Sequence, residues 1–437
     1  MAGAADDVLE DGELLDADGA AGVHLAGGDA DLGAHAEFAA VGELRGGVVQ
    51  DDGTVEPGQE PLGGGLIVSD DAVKTIEKII AEIDKKLTEQ INLILHQEEY
   101  QKLESAWRGL HYLVNNTETD EMLKIRVLNI SKQELGKTLK RYKGTAWDQS
   151  PLFKKVYEEE FGQFGGEPFG CLVGDYYFSQ SPPDVELLGE MAKVAAAAHT
   201  PFISAADPKL MGMGSWQELA NPRDLTKIFT TPEYASWRSL RESDDARYIG
   251  LAMPRFLARI PYGAKTNPVE EFNFEEETAN ADHTKYTWAN SAYAMAVNIN
   301  RSFKMYGWCS RIRGIESGGS VEGLPTHTFP TDDGGVDMKC PTEIAISDRR
   351  EAELAKNGLM PLVHRKNSDF AAFIGAQSLY KPSEYQDADA TANENLGARL
   401  RGPPRQRGCG ARGIAVGGVK HQPGRGRAPR PAHQWAG

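Results

Sequence analysis

FGCLVGDYYFSQSPPDVELLGEMAKVAAAAHTPFISAAD, residues 169–207, decides the fold. FGCLVGDY is a short apolar run of the kind that fills a buried strand. PDVELLGEMAKVAAAAHT has helical spacing and opens near Pro183, where the first turn tolerates a proline. PFISAAD is a second buried strand. Strand, helix and strand in succession make a βαβ unit with parallel strands.

Upstream, MLKIRVLNI alternates apolar and polar residues as a strand does. Ser131 and Glu134 then form a capping-box pattern that opens the basic helix KQELGKTLKRYK. Ser150–Pro151 starts a further helix with Leu152, Phe153, Val156 and Tyr157 inward. Nearer the N-terminus, Ser69 serves as an N-cap. Val73, Ile76, Ile80, Ile83, Leu87, Ile91 and Ile94 follow at steps of three and four, one helical face for about six turns. A second helix, with Tyr100, Leu103, Trp107 and Leu110 on one side, runs to Asn115–Asn116.

Downstream, RYIGLAMPRFLAR reads as a strand and TWANSAYAMAVNINRSFKMYG (287–307) as a helix. TEIAIS, the helix DRREAELAKN closed by Gly358, and LMPLVH give another strand–helix–strand run. The fold class is therefore α/β. It has mixed sheets with flanking helices, a long N-terminal amphipathic helix and disordered termini. The expected organisation is a disordered acidic segment over 1–64, a helical segment over 65–115, an α/β core over 116–400 and a disordered basic tail over 401–437.

The net charge of −17 argues against nucleic acid as the main partner of the whole chain. Its distribution is uneven. Residues 1–64 hold 15 acids against Arg45 alone, whereas residues 402–437 hold seven Lys/Arg and no acid. The first segment is rich in Gly, Ala and Asp and has one aromatic, Phe38, too little apolar surface to offset its ordering entropy. Cys171, Cys309, Cys340 and Cys409 are too scattered for a disulfide framework or a thiolate zinc site, so a reducing cytoplasmic compartment is the default. No apolar run reaches the roughly 18–20 residues that span a bilayer, and no secretory signal is visible.

Catalytic patterns are sparse. Gly136-Lys137-Thr138 resembles the end of a phosphate-binding loop, but Ser131 stands where the leading glycine belongs and the tripeptide lies inside a helix. Gly212-Met213-Gly214 fails as a dinucleotide motif because Gln217 takes the third glycine position. HExxH and GxSxG are absent, and His111 and His199 read as helix-end or packing residues. Asp175, after a buried strand, sits where α/β enzymes place an acid; the competing reading is a turn or cap acceptor. Lys132, Lys137, Lys140, Arg141 and Lys143 form either a solvated face or a surface for an acidic partner. PVEEFNFEEETANADH reads as a surface loop or an interface for basic residues.

Several stretches together resemble the large sheath subunit of the bacterial type VI secretion system, a family called TssC, VipB, ImpC or EvpB. Among them are SDDAVKTIEKIIAEIDKKLTEQINLIL, LESAWRGLHYLVNNTETDEMLKIRVLNIS, VGDYYFSQSPPDVELLGEMAKVAAAAHTPF, YIGLAMPRFLARIPYGAKTNPVEEF and GLPTHTFPTDDGGVDMKCPTEIAISDRREAELAKNG. The likeness runs from about Leu66 to about Leu400. It implies a cytoplasmic structural protein rather than an enzyme, with no cofactor or metal. The implied partners are a small sheath subunit, the inner tube protein, the baseplate and an AAA+ disassembly ATPase, with no nucleic acid and no membrane insertion. Contraction of the sheath drives the tube and spike out. The helix near residues 70–95 then supplies a partner interface, with Ile76, Ile80, Ile83, Leu87 and Ile91 as its residues.

Departures lie at both ends. Family members continue past the equivalent of ATANENLGARL to a strand that pairs with neighbouring protomers, and their N-terminal arm carries a helix for the ATPase and a linking strand. Here both ends have the Gly/Ala/Arg/Pro bias of GC-rich DNA read in another frame, so the basic tail is expected to be accidental. On that reading the chain forms a heterodimer but no long sheaths. The alternatives are an α/β enzyme using Asp175, or nucleic-acid binding through the tail.

Overall fold

A computed structural model describes residues 72–381 apart from 145, 222–224, 279–281 and 332, together with the strands 14–16 and 412–418. The expected disorder of 1–64 and 401–437 otherwise lies outside the described residues. Two compact units are distinguished, residues 18–89 and the remainder. In the first, the described part belongs to a single helix that runs on into the second, α1 (Ala72–Leu95).

The second unit is built around a nine-stranded sheet. In chain order its strands are β1 (Leu14–Asp16), β2 (Leu123–Asn129), β3 (Cys171–Phe178), β4 (Phe202–Ala206), β5 (Ile249–Met253), β8 (Ser320–Val321), β11 (Leu359–His364), β12 (Ala371–Phe373) and β13 (Arg412–Gly418). Two short pairs stand apart: β6 (Phe256–Leu257) with β7 (Trp288–Ala289), and β9 (His327–Pro330) with β10 (Val336–Lys339). The spatial order of the large sheet is β1-β2-β13-β3-β4-β5-β11-β12-β8. From β2 to β11 every pairing is parallel, and the outer strands β1, β12 and β8 pair antiparallel. β3 and β4 are direct parallel neighbours joined by α5 (Pro182–Ala198), the βαβ unit read from residues 169–207.

Strand alternation divides the core into two layers. Leu172, Tyr176 and Phe178 of β3, Phe202 of β4, and Ile249, Leu251 and Met253 of β5 face one cluster. That cluster is covered by α3 (Lys132–Arg141), α5, α7 (Ala235–Glu242) and α9 (Asp348–Lys356). Cys171 and Val173, Ile203 and Ala252 face the opposite cluster, under α2 (Glu98–Asn115) and α8 (Ser291–Tyr306). A pleat of period two with both faces covered is what a parallel sheet requires. Gly109 of α2 is buried so close to the Tyr293 ring of α8 that a β-carbon there would overlap it. The capping box of α3 is complete: Glu134 N–H donates to Ser131 Oγ at 3.2 Å, and Ser131 N–H donates to Glu134 Oε2 at 3.0 Å.

Several expectations need correction. Arg412–Gly418, read as disordered tail, forms β13 between β2 and β3, and Leu14–Asp16 pairs with β2. TEIAIS is not a strand: Thr342 makes one isolated bridge to Phe256, and Glu343 turns to Arg255 and His283. RYIGLAMPRFLAR divides into β5 and β6 around Pro254, which has no N–H for a ladder. The helix from Ser150 is only α4 (Pro151–Phe153), continued by a wider π turn over Lys154–Glu158. Trp107 is exposed, because α2 buries the face carrying Gly109 and Leu113. A further short helix, α6 (Leu225–Ile228), completes the set.

Candidate partner-binding face

Along α1, Ile76, Ile80, Ile83 and Leu87 follow steps of four and three, which places them in one stripe. They are 57%, 52%, 51% and 43% exposed. Ile79 and Ile94 widen the uncovered apolar surface. Ile91 behaves differently. It is half-buried with Tyr100, Val269 and Phe272 against Leu95, Tyr262 and Phe274. The five interface candidates thus divide into four exposed residues and one that anchors the helix end. A contiguous apolar stripe on a charged helix is a surface that association covers.

The anchoring end is fixed by a buried polar lattice. Asn92 Nδ2 donates to Glu275 O at 3.0 Å, and Glu277 N–H donates to Asn92 Oδ1 at 2.9 Å. Behind it, Arg259 grips two carboxylates: its Nε donates to Glu104 Oε1 of α2 at 2.5 Å, and its Nη1 to Glu276 Oε2 at 2.5 Å. Arg108 donates to the same Glu104 oxygen at 2.8 Å and to the Tyr262 hydroxyl at 2.8 Å. Burial alone would raise the Glu276 carboxyl, but His96, Arg259 and the Tyr262 N–H bring it down to about 2. Glu276 lies in the run PVEEFNFEEETANADH, so part of that expected surface loop is interior, with its charge spent inside the chain.

Asp175 lies inside β3 rather than after it, and is 4% exposed. It faces α8 and accepts from Asn290 Nδ2, the cap residue of that helix, at 3.1 Å. Burial raises its carboxyl to about 6, against the pull of Asn290 and Tyr293. A groove of about 270 Å³ lined by Arg313, Glu351, Ala355, Lys356, Ile374 and Gln377 does not include it. Asp175 is thus a hydrogen-bond acceptor, as in the structural reading, but the cap itself is Asn290, whose Oδ1 accepts from Ala292 N–H at 2.8 Å while its Nδ2 donates to Asp175. His199 ends α5 in the left-handed conformation, and its Nδ1 meets the Tyr248 hydroxyl at 3.0 Å. Gly136-Lys137-Thr138 lies within α3, and Thr138 is buried.

The basic helix spends much of its charge locally. Lys132 pairs with Asp184 at 2.6 Å, and Lys143 with Glu186 of α5 at 2.6 Å. Among the described residues no group of three or more His, Cys, Asp and Glu is arranged to hold a metal ion. No described helix is long and apolar enough to cross a membrane.

The described residues of α1 carry an exposed apolar stripe, while Glu104, Glu276 and Glu343 are paired with arginines inside the fold. The chain belongs to the tail sheath family: residues 77–380 match the family described as VipB, EvpB/VC_A0108, tail sheath N-terminal domain. It is 81% identical over 334 residues to a Pseudomonas aeruginosa protein named type VI secretion system sheath protein TssC1, a match covering 76% of this chain and 67% of that protein. The family is a structural sheath family.

Proposed function

We propose that this chain is the large subunit of a type VI contractile sheath. It pairs with the small sheath subunit through the Ile76–Ile80–Ile83–Leu87 stripe of α1. The observation that carries this reading is that stripe's exposure in a chain belonging to the sheath family. An amphipathic helix of the partner laid along it would remove the apolar surface from water at about 25 cal/mol per Å². The resulting heterodimers polymerise in the cytoplasm around the inner tube, starting at the baseplate. Contraction drives tube and spike outward, and an AAA+ ATPase takes the spent sheath apart. The chain performs no catalysis and needs no cofactor in this role.

Co-expression with the small subunit tests it. Soluble yield should rise, and the two chains should co-purify. Ile83→Asp with Leu87→Asp should abolish co-purification while the chain's own melting transition persists, since both positions are exposed. Val336→Asp, at another exposed apolar position, is the control and should leave pairing intact. Undiminished pairing in the double variant would overturn the proposal.

A further inference from the structure

Outside the α1 face, a cluster among the described residues joins a thiol to an imidazole. Cys340 follows β10 directly, and His364 is the last residue of β11. Cys340 Sγ lies 3.4 Å from His364 Nδ1 and 3.3 Å from Thr342 Oγ1. The far side of the imidazole settles its tautomer. His364 Nε2 is 2.8 Å from the Ser368 carbonyl oxygen, which can only accept, so Nε2 carries a proton. Nδ1 is then the basic nitrogen, and it faces the sulfur. A nucleophile within reach of a base that a third group orients is the arrangement that activates thiols. The single hydroxyl proton of Thr342 goes to Ile344 O at 2.9 Å, so toward the sulfur its oxygen can only accept.

We infer that Cys340 and His364 form a thiolate–imidazolium pair, which makes Cys340 an oxidant-sensitive modification site with a hydroperoxide as co-reactant. The sulfur attacks one peroxide oxygen. The S–O bond forms, the O–O bond breaks, and the departing oxygen takes the Nδ1 proton of His364. With hydrogen peroxide the products are a sulfenic acid, water and neutral imidazole. The sulfur is oxidised and the peroxide reduced, and no further reagent enters.

The surroundings agree. Burial would raise the Cys340 thiol, but His364 brings it below its ordinary value. Burial would lower His364, yet Cys340 and the Ser368 carbonyl raise it. Of the other charged groups facing the pair, Lys339 adjoins Cys340 from β10, with its Nζ over the Tyr286 ring, and Asp282 faces that lysine. Cys340 is half-buried, whereas Cys171 and Cys309 are buried in the layer under α2 and α8, and burial pushes the Cys171 thiol far up. The site lies at a junction. Leu257 N–H donates to Pro341 O at 2.7 Å, and Thr342 bridges Phe256, so the modified sulfur would sit where β6 meets the segment after β10.

The test is the pH dependence of alkylation by iodoacetamide on the folded full chain, read peptide by peptide in a mass spectrometer from about pH 5 to about pH 9. Cys409, outside the described residues, is scored on its own peptide. Cys340 should react with a midpoint at least about one unit below the free-thiol value of about 8.5. His364→Gln should raise that midpoint and slow the reaction about tenfold at neutral pH. Hydrogen peroxide followed by dimedone should tag Cys340 in the parent chain and fail to tag it in that variant. A midpoint at or above about 8.5 overturns the inference. So does a profile unchanged by His364→Gln, or one shifted more by Lys339→Met than by His364→Gln. A Cys340 that stays untouched while the unfolded chain reacts overturns it too. If His364→Gln does not fold, the parent profile decides alone.

Discussion

At single residues, the interior charges make opposite demands on pH. The Asp175 carboxyl, held up at about 6, binds a proton more readily folded than unfolded. Keeping it ionised therefore costs stability above about pH 6, and the cost fades as pH falls toward the ordinary carboxylate value of about 3.9. Glu276 and Glu343, both brought down to about 2 against burial, act the other way. Their contribution is complete above about 4.3 and is lost as pH falls toward 2. Asp175→Asn retains an oxygen to accept from Asn290. It should remove the stability cost of the ionised acid, up to about 3 kcal/mol, between about pH 5 and pH 7.5, and leave the acid limb in place. Denaturant midpoints of both chains across that range check it. Arg259 presents the opposite case. Arg259→Met leaves Glu104 to Arg108 and Glu276 to His96 and the Tyr262 N–H, and should cost about 3 kcal/mol, read as a fall in the denaturation midpoint at neutral pH.

Among elements, how legible each one was depends on where its signal resides. The cap of α3 needs only Ser131 and Glu134, so the sequence suffices, and the structure makes both hydrogen bonds. Ser131→Ala should cost about 1 kcal/mol, measured by chemical denaturation, because Glu134 N–H loses its acceptor at the helix start. The βαβ unit was legible for a similar reason: strand runs and helix spacing lie within residues 169–207. Readings failed where a distant partner decides. Trp107 shares a helical side with Leu103 and Leu110, but the contact with Tyr293, far along the chain, selects the Gly109 face instead. TEIAIS alternates like a strand, yet Arg255 and His283 draw Glu343 into a buried ion pair and leave a single bridge. Asp175 was visible as an unusual acid, but its partner Asn290 is 115 residues away, so its role could not be read locally. The α1 stripe was legible as a periodicity. Its exposure, and the separate fate of Ile91, required the fold.

For the whole molecule, the decisive feature is how the large sheet is closed. β2 and β3 do not pair with each other; β13 lies between them, parallel to both, with Ile414 opposite Ile125 on one side and Cys171 on the other. Three of its seven residues are glycines, which erase the alternation that marks a strand, so this run was invisible as one. Sheet position, not strand propensity, defines it. A central strand carries backbone hydrogen bonds toward both neighbours, and proline at its middle removes a donor that no other group replaces. Ala415→Pro should therefore lower stability by about 1–3 kcal/mol, the cost of a buried backbone partner left unsatisfied. Ending the chain after Leu400 should do more, because it leaves facing edges on β2 and β3, and exposed strand edges recruit other chains. Hydrogen exchange resolves the consequence by element. Amides of Leu123–Asn129 should exchange much faster in both altered chains, while those of β4 and β5, whose ladders do not involve β13, should keep their protection. If β2 stays as protected without residues 401–437 as with them, then β13 does not close the sheet in solution.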